Sequence, residues 1–284
     1  MLSYFQAAIL GLVQGISELF PISSLGHSII LLGLFGWNIN HDANYFLTFL
    51  VATHFATAAV LFLFYWKDWV RIISGIARSV RRRNLNVDAD AQLGWLLIVG
   101  TVPTGLVGLL FQKQVEKLFI SPAYVAGFLM LNGGMLYLAE ILRRKAKNSG
   151  RLADADHRIA AELSYWQSIK VGLMQIFALL PGFSRTGSTI AGGLMVGLAH
   201  EDALRFSFLL ATPIIGAAAV LKLPGLFASG SSMVIGPALM GAACAAVAAY
   251  FSVKFLIRYF ESRTLTPFAI YCFLAGVLSL VLLH

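Results

Sequence analysis

Two short stretches of this chain hold the residue types that handle phosphate. The first runs Gln14-Gly15-Ile16-Ser17-Glu18-Leu19-Phe20-Pro21-Ile22-Ser23-Ser24-Leu25-Gly26-His27. Gln14 and Glu18 are four apart, so on a helix they share one face. Ser24 and His27 are three apart at the start of a second helix, again on one face. A carboxylate, an amide, hydroxyls and an imidazole thus converge on one turn. Glu18 can act as a metal ligand or a base. Ser24 can act as a nucleophile with His27 spaced to be its base. His27 as the nucleophile, or a metal-activated water with Ser24 only bonding phosphate, are the alternatives. Ser23 can donate to phosphate or cap the loop. The second stretch is Pro181-Gly182-Phe183-Ser184-Arg185-Thr186-Gly187-Ser188-Thr189. Ser184 suits the N-cap of a following helix. A helix N-terminus beside Arg185, with Ser184, Ser188 and Thr189 as hydroxyl donors, is an anion site, and the planar guanidinium can grip two phosphate oxygens. A pyrophosphate held by Arg185 would keep excess negative charge. A divalent cation, Mg²⁺ or Ca²⁺, on Glu18 with Gln14 beside it would offset that charge.

These residues sit in a chain built for lipid. Of its 284 residues 58% are hydrophobic and 12% charged, against about 25% charged in soluble domains. Six uncharged or nearly uncharged stretches, 44–66, 93–111, 122–142, 203–221, 232–253 and 265–283, have the length of membrane spans, since roughly 20 helical residues cross the hydrocarbon core. The regions 2–37 and 165–199 are also apolar, but the two chemistry-bearing stretches break them. The arm after each break has about 13 residues, or about 20 Å of helix, too short to cross. The expected form is a re-entrant helix–loop–helix hairpin, tolerated at membrane depth where it is buried in protein or lines a wet cavity. An ionisable group there costs roughly 3 kcal/mol, so Glu18 and Arg185 are functional candidates by default.

Charge fixes an expected orientation. The segments 67–92 and 143–164, read as loops, carry six Lys or Arg each, and 254–264 carries three. Other connections hold only Lys113, Lys117 and Lys222. With the basic loops in the cytoplasm, hairpin 2–37 enters from outside and hairpin 165–199 from inside. The hairpins also match each other at an offset of 161. Gly11, Leu12, Gln14, Leu19, Ser23, Gly26, Ile29 and Gly36 fall on Gly172, Leu173, Gln175, Leu180, Ser184, Gly187, Ile190 and Gly197. The reading is one all-α membrane domain over 1–284, an inverted-topology repeat with halves at about 1–142 and 165–284, and the broken helices meeting near the midplane.

The net charge of +8 follows the orientation pattern, so no nucleic-acid partner is expected. Arg81, Arg82 and Arg83 read as a topology signal that could also attract anionic lipid. Cys244 and Cys272 lie in apolar stretches and read as packing residues. His54 and Asn132 read as satisfied interior polar groups, and Glu201, Asp202 and Arg205 as an ion-paired helix start. No organic cofactor motif is present, and no cleaved signal peptide is expected. Inverted repeats with broken helices also suit a carrier. The Ser24/His27 pair separates the two, because a carrier needs the clamp and no nucleophile.

The Q-x-x-x-E pattern of Gln14 and Glu18, the P-x-S-S-x-G-H that follows, and P-G-F-S-R-T-G-S-T together resemble the undecaprenyl pyrophosphate phosphatase family linked to bacitracin resistance, across essentially the whole chain. The resemblance implies a metal-dependent hydrolase of the bacterial inner membrane. It would cut undecaprenyl pyrophosphate to the monophosphate, recycle the lipid carrier of cell-wall synthesis, open its site toward the periplasm and form a homodimer. By motif match, Glu18, Ser24, His27, Ser184, Arg185 and Thr189 take the functional positions. Many relatives carry Glu where this chain has Gln14, which removes one negative charge from the expected metal site.

Overall fold

The computed structural model describes residues 2–37, 43–111, 122–144, 155–228 and 232–283. All regular structure among them is helical. In chain order the α-helices are α1 Tyr4–Ser17, α2 Ser24–Leu34, α3 Ala43–Phe64, α4 Trp66–Arg82, α5 Ala89–Leu110, α6 Pro122–Arg144, α7 Ala155–Glu162, α8 Tyr165–Gln175, α9 Arg185–Met195, α10 His200–Ala228, α11 Ser232–Phe260 and α12 Thr266–Leu282. A 3₁₀ turn, Ile176–Leu179, extends α8 toward the second break. Helices α3, α5, α6, α10, α11 and α12 stand where the six apolar stretches were read. By length and composition Ala89–Leu110, Pro122–Arg143 and Ile235–Phe260 suffice to cross a membrane, and Thr48–Phe64 joined with Trp66–Arg82 makes a fourth if a bent pair counts as one. Lys113, Lys117 and three of the six basic residues of 143–164, Lys145, Lys147 and Arg151, lie outside the described residues.

The exterior is apolar. Leu63, Leu109, Leu110, Leu239, Phe251 and Val281 are each more than 60% exposed, and further apolar side chains of α5, α11 and α12 are exposed as well. A soluble monomer rarely exposes so large an apolar surface. With helices this long and apolar, the chain is a multi-pass membrane protein. The interior is led by α10, whose Phe206, Phe208, Leu209 and Leu210 are fully buried.

Two segments read as loops are helices. Trp66–Arg82 leaves α3 at a bend of 78° and packs Ile72, Gly75 and Ser79 inward. Ser79 Oγ accepts from Trp95 Nε1 at 2.9 Å, and Asp88 caps α5 through the Ala91 N–H. Counting charges across 67–92 hid the apolar stripe, which repeats at helical spacing among the basic residues. Helix α7 supplies acids and bases to one network. Asp156 accepts from Arg71 and Arg205, and Arg158 binds Glu201 and Asp202. Glu201, Asp202 and Arg205 are therefore ion-paired as expected, but to partners on α4 and α7 rather than to one another.

The two broken-helix units share local construction. Ser3 and Gln6 form a capping box on α1, and Ser164 and Gln167 form one on α8, again 161 residues apart. Gly11 lies against the carbonyl of Gly241 on α11, and Gly172 against that of Gly100 on α5. A Cβ at either glycine would come within 2.2 Å of the oxygen. Each first arm thus docks backbone to backbone on a long helix, which only glycine allows. The second arms, α2 and α9, have 11 residues each, about 16 Å of helix.

Candidate active site

The breaks come from proline and glycine. Pro21 and Pro181 lack an N–H and bias the preceding residue away from the helical region. At the first break Ser23 takes φ 71°, a conformation costing a non-glycine residue roughly 1–3 kcal/mol. Its carbonyl is held by the His27 N–H at 3.3 Å and His27 Nδ1 at 2.7 Å, and its hydroxyl accepts from the Gly26 N–H. At the second break Gly182 has φ 109°, and a Cβ there would lie 2.4 Å from the Val125 carbonyl oxygen.

The two tips are bound to each other. Thr186 Oγ1 donates to the Glu18 carbonyl at 2.9 Å, and Ser184 Oγ donates to the Phe20 carbonyl at 3.2 Å. Asn132 of α6 clamps both tips: its Nδ2 donates to the Pro21 carbonyl, and its Oδ1 accepts from the Ser184 N–H, each at 3.0 Å. Asn132 is a satisfied interior amide, as the sequence suggested, but what it satisfies is the junction of the two tips.

Glu18, buried at the end of α1, is the hub. Its Oε2 accepts from Ser24 Oγ at 2.6 Å and from Gln14 Nε2 at 3.1 Å. Its Oε1 accepts from an Arg185 terminal nitrogen at 3.2 Å. The acid of one unit and the guanidinium of the other therefore touch. A second basic group, His54 of α3, brings Nε2 to 3.3 Å from Glu18 Oε2 while its Nδ1 sits 2.8 Å from the Leu50 carbonyl. Reading His54 as a generic interior group missed this contact. The signal was present: an ionisable side chain in the middle of an otherwise uncharged span is a functional candidate by default.

Several sequence-predicted residues sit differently from expectation. His27 does not reach Ser24. Its nitrogens face the Ser23 carbonyl and the Tyr271 hydroxyl, the latter at 2.8 Å, and its ring stacks on Tyr271. The group hydrogen-bonded to the Ser24 hydroxyl is Glu18 instead. The i, i+3 spacing put His27 on the Ser24 side of α2 but could not say which neighbour its ring would meet. Ser184 is the N-cap of α9 through the Gly187 N–H, as expected, but it also donates to Phe20, so its hydroxyl is occupied. Thr189 Oγ1 bonds back to the carbonyls of Arg185 and Thr186 and touches Ser207 Oγ. Either hydroxyl would have to trade a bond within the protein to meet phosphate. Ser188 is fully buried with no partner for Oγ.

The buried side-chain atoms lacking partners gather here. Among the described residues, and apart from Trp69 Nε1 and Thr266 Oγ1, they are Gln14 Oε1, both amide atoms of Gln175, Arg185 Nε and Nη1, and Ser188 Oγ, all on the two broken-helix units. Buried polar atoms are nearly always satisfied, so such a concentration marks a candidate place for polar guests. Among the described residues no group of three His, Cys, Asp or Glu could hold a metal ion. One carboxylate, Glu18, and one unpaired amide oxygen, Gln14 Oε1, suit a hard cation that arrives sharing phosphate oxygens, the usual habit of Mg²⁺.

The comparisons with known proteins agree in direction. The family described as Bacitracin resistance protein BacA matches residues 7–278. An undecaprenyl-diphosphatase of Mycolicibacterium paratuberculosis is 45% identical over 99% of this chain and 97% of its own. Undecaprenyl-diphosphatase 1 of Burkholderia pseudomallei is 43% identical over 95% and 94%, and undecaprenyl-diphosphatase 2 of Frankia alni 39% identical over 99% and 98%. With the match running through both broken-helix units and the helices that carry them, this chain belongs to the bacitracin resistance protein BacA family.

Proposed function

We propose that this protein is an undecaprenyl-diphosphatase, removing the terminal phosphate of undecaprenyl pyrophosphate to leave undecaprenyl phosphate. The observation that carries the reading is the meeting of Ser24, Glu18 and Arg185. The Ser24 hydroxyl donates to a carboxylate at 2.6 Å, and that carboxylate shares its other oxygen with a guanidinium whose Nε and Nη1 are unspent. A carrier would need the guanidinium but not the activated hydroxyl.

In the proposed reaction the pyrophosphate draws the free edge of Arg185, loosening its bond to Glu18. Ser24 Oγ attacks the terminal phosphorus as Glu18 takes the hydroxyl proton, and the bond to the bridging oxygen breaks to release undecaprenyl phosphate. Water then hydrolyses the phosphoserine, giving inorganic phosphate and restoring the hydroxyl. His54 keeps a second basic group on Glu18, so the carboxylate is not left isolated when Arg185 turns to phosphate. Glu18 and Gln14 Oε1 would hold a divalent cation, which would neutralise phosphate charge.

The wider reading is of six spans with two re-entrant units in an inverted repeat. The paired capping boxes, the paired glycine contacts and the short second arms support it. The substrate's prenyl tail would stay among membrane lipids, in a bacterial inner membrane with the basic segments cytoplasmic and the site toward the periplasm. A homodimer is expected from the family resemblance alone.

The test is phosphate release from undecaprenyl pyrophosphate by pure protein in detergent, where no second leaflet exists. Wild-type protein should release phosphate. Ser24→Ala should bind inorganic pyrophosphate as wild type does yet release none. A Ser24→Ala protein with full activity would remove Ser24 as nucleophile, and an inactive wild type would return the carrier reading.

A further inference from the structure

Gln175 is the repeat counterpart of Gln14 and has no described role. It is fully buried, and neither its amide oxygen nor its nitrogen has a hydrogen-bond partner. An amide left so in a dry apolar interior would cost about 1–3 kcal/mol per unmet group. Its surroundings follow from the way α8 and α9 pack. A Cβ on Gly192 would meet the Val171 Cα and the Met174 Cβ at 3.2 Å, so α9 returns along α8 with Gly192 facing that turn. One turn nearer the tip from Gly192 is Ser188. One turn nearer the tip from Val171 is Gln175. Carried one turn further, the same 3.6-residue period sets Ser188 and Gln175 at about one level between the two helices. Ser188 Oγ is also buried and unpartnered, and one further turn toward the tip stands Arg185 with Nε and Nη1 free. Hydroxyl, amide and guanidinium thus form a ladder, rich in donors, on the second unit. The reacting groups, Glu18 and Ser24, belong to the first.

We propose that Gln175, together with Ser188 and the free edge of Arg185, forms the subsite that grips the non-reacting, lipid-linked phosphate of the pyrophosphate. The first unit then performs the displacement while the second holds the head group. This rests on the phosphatase reading, and it assigns Gln175 to binding rather than to the chemical step.

The test compares wild type with Gln175→Met, which keeps the volume and removes the amide, and Gln175→Glu, which keeps the shape and adds repulsion toward an anion. Three quantities are measured in detergent: KM and kcat for undecaprenyl pyrophosphate, the Kd of inorganic pyrophosphate by calorimetry, and Tm. Gln175→Met should raise KM and the pyrophosphate Kd together by about tenfold, with kcat within about threefold and Tm equal to or above wild type. Gln175→Glu should weaken pyrophosphate binding further. Wild-type KM and Kd in a folded Gln175→Met protein, with Tm raised, would overturn the proposal and make Gln175 an amide satisfied by water alone. A fall in kcat with unchanged KM and Kd would also overturn it. The calorimetry does not depend on turnover, so failure of the phosphatase reading would show as an inactive wild type, while failure of the subsite would show as pyrophosphate binding indifferent to residue 175.

Discussion

Replacing Arg185 by lysine isolates what the guanidinium contributes beyond its charge. Arg185 spends one terminal nitrogen on Glu18 at 3.2 Å and keeps Nε and Nη1 buried and free. A lysine ammonium can face Glu18 or a phosphate, but it has no planar fork with which to grip two oxygens while touching the acid. Two charge-assisted hydrogen bonds to phosphate are lost, each worth about 1.5–3 kcal/mol. Together they amount to about 3–6 kcal/mol, or about 10²–10⁴ in kcat/KM. The positive charge remains near Glu18, so the buried acid is not stranded. A stranded partner would cost about 3–5 kcal/mol of stability, and Arg185→Lys should avoid most of that. The assay is phosphate release from undecaprenyl pyrophosphate across a substrate series, with Tm measured on the same preparation. The expected result is a loss of at least a hundredfold in kcat/KM at near wild-type Tm. A variant within fivefold of wild type would refute the fork argument, because charge alone would then suffice. A loss of activity matched by a collapse of Tm would refute the claim that lysine keeps Glu18 paired.

Glu18→Gln should lower kcat by about a thousandfold or more, since an amide cannot take the Ser24 proton; the phosphate-release assay reads this directly. EDTA should suppress phosphate release and added Mg²⁺ or Ca²⁺ restore it, whereas full activity in excess chelator would remove the cation from the scheme. Gly11→Ala and Gly172→Ala should each lower Tm markedly, because the new methyl would stand 2.2 Å from a backbone carbonyl oxygen and neither neighbouring helix can yield without shifting; thermal denaturation in detergent tests both.

Much of the element layout was legible in the chain itself. Uncharged runs of about 20 residues specify helices for lipid without help from their neighbours, since each such helix satisfies its own backbone. Pro21, Pro181 and Gly182 punctuate the two units for reasons that are equally local. The spacing of Gln14 and Glu18 fixed their shared face, and the structure bonds them at 3.1 Å. Segment 66–82 was harder to read because its helical stripe is interrupted by cations that a charge count assigns to a loop.

The sequence reading joined Glu18 of one broken helix to Arg185 of the other, but which atoms pair across such distances it could not determine. Glu18 and Arg185 lie 167 positions apart, and their contact depends on how two separate tips dock on Asn132. The same docking turned the Ser24 hydroxyl to Glu18, sent His27 to Tyr271, brought His54 in from α3, and engaged Ser184 and Thr189 within the protein. Helical periodicity fixes which side of a helix a residue occupies, because that is set by bonds four residues apart. Which atom it then meets is set by the packing of helices whose sequences hold no record of one another's position, so the partner of each polar group emerged only in the tertiary structure.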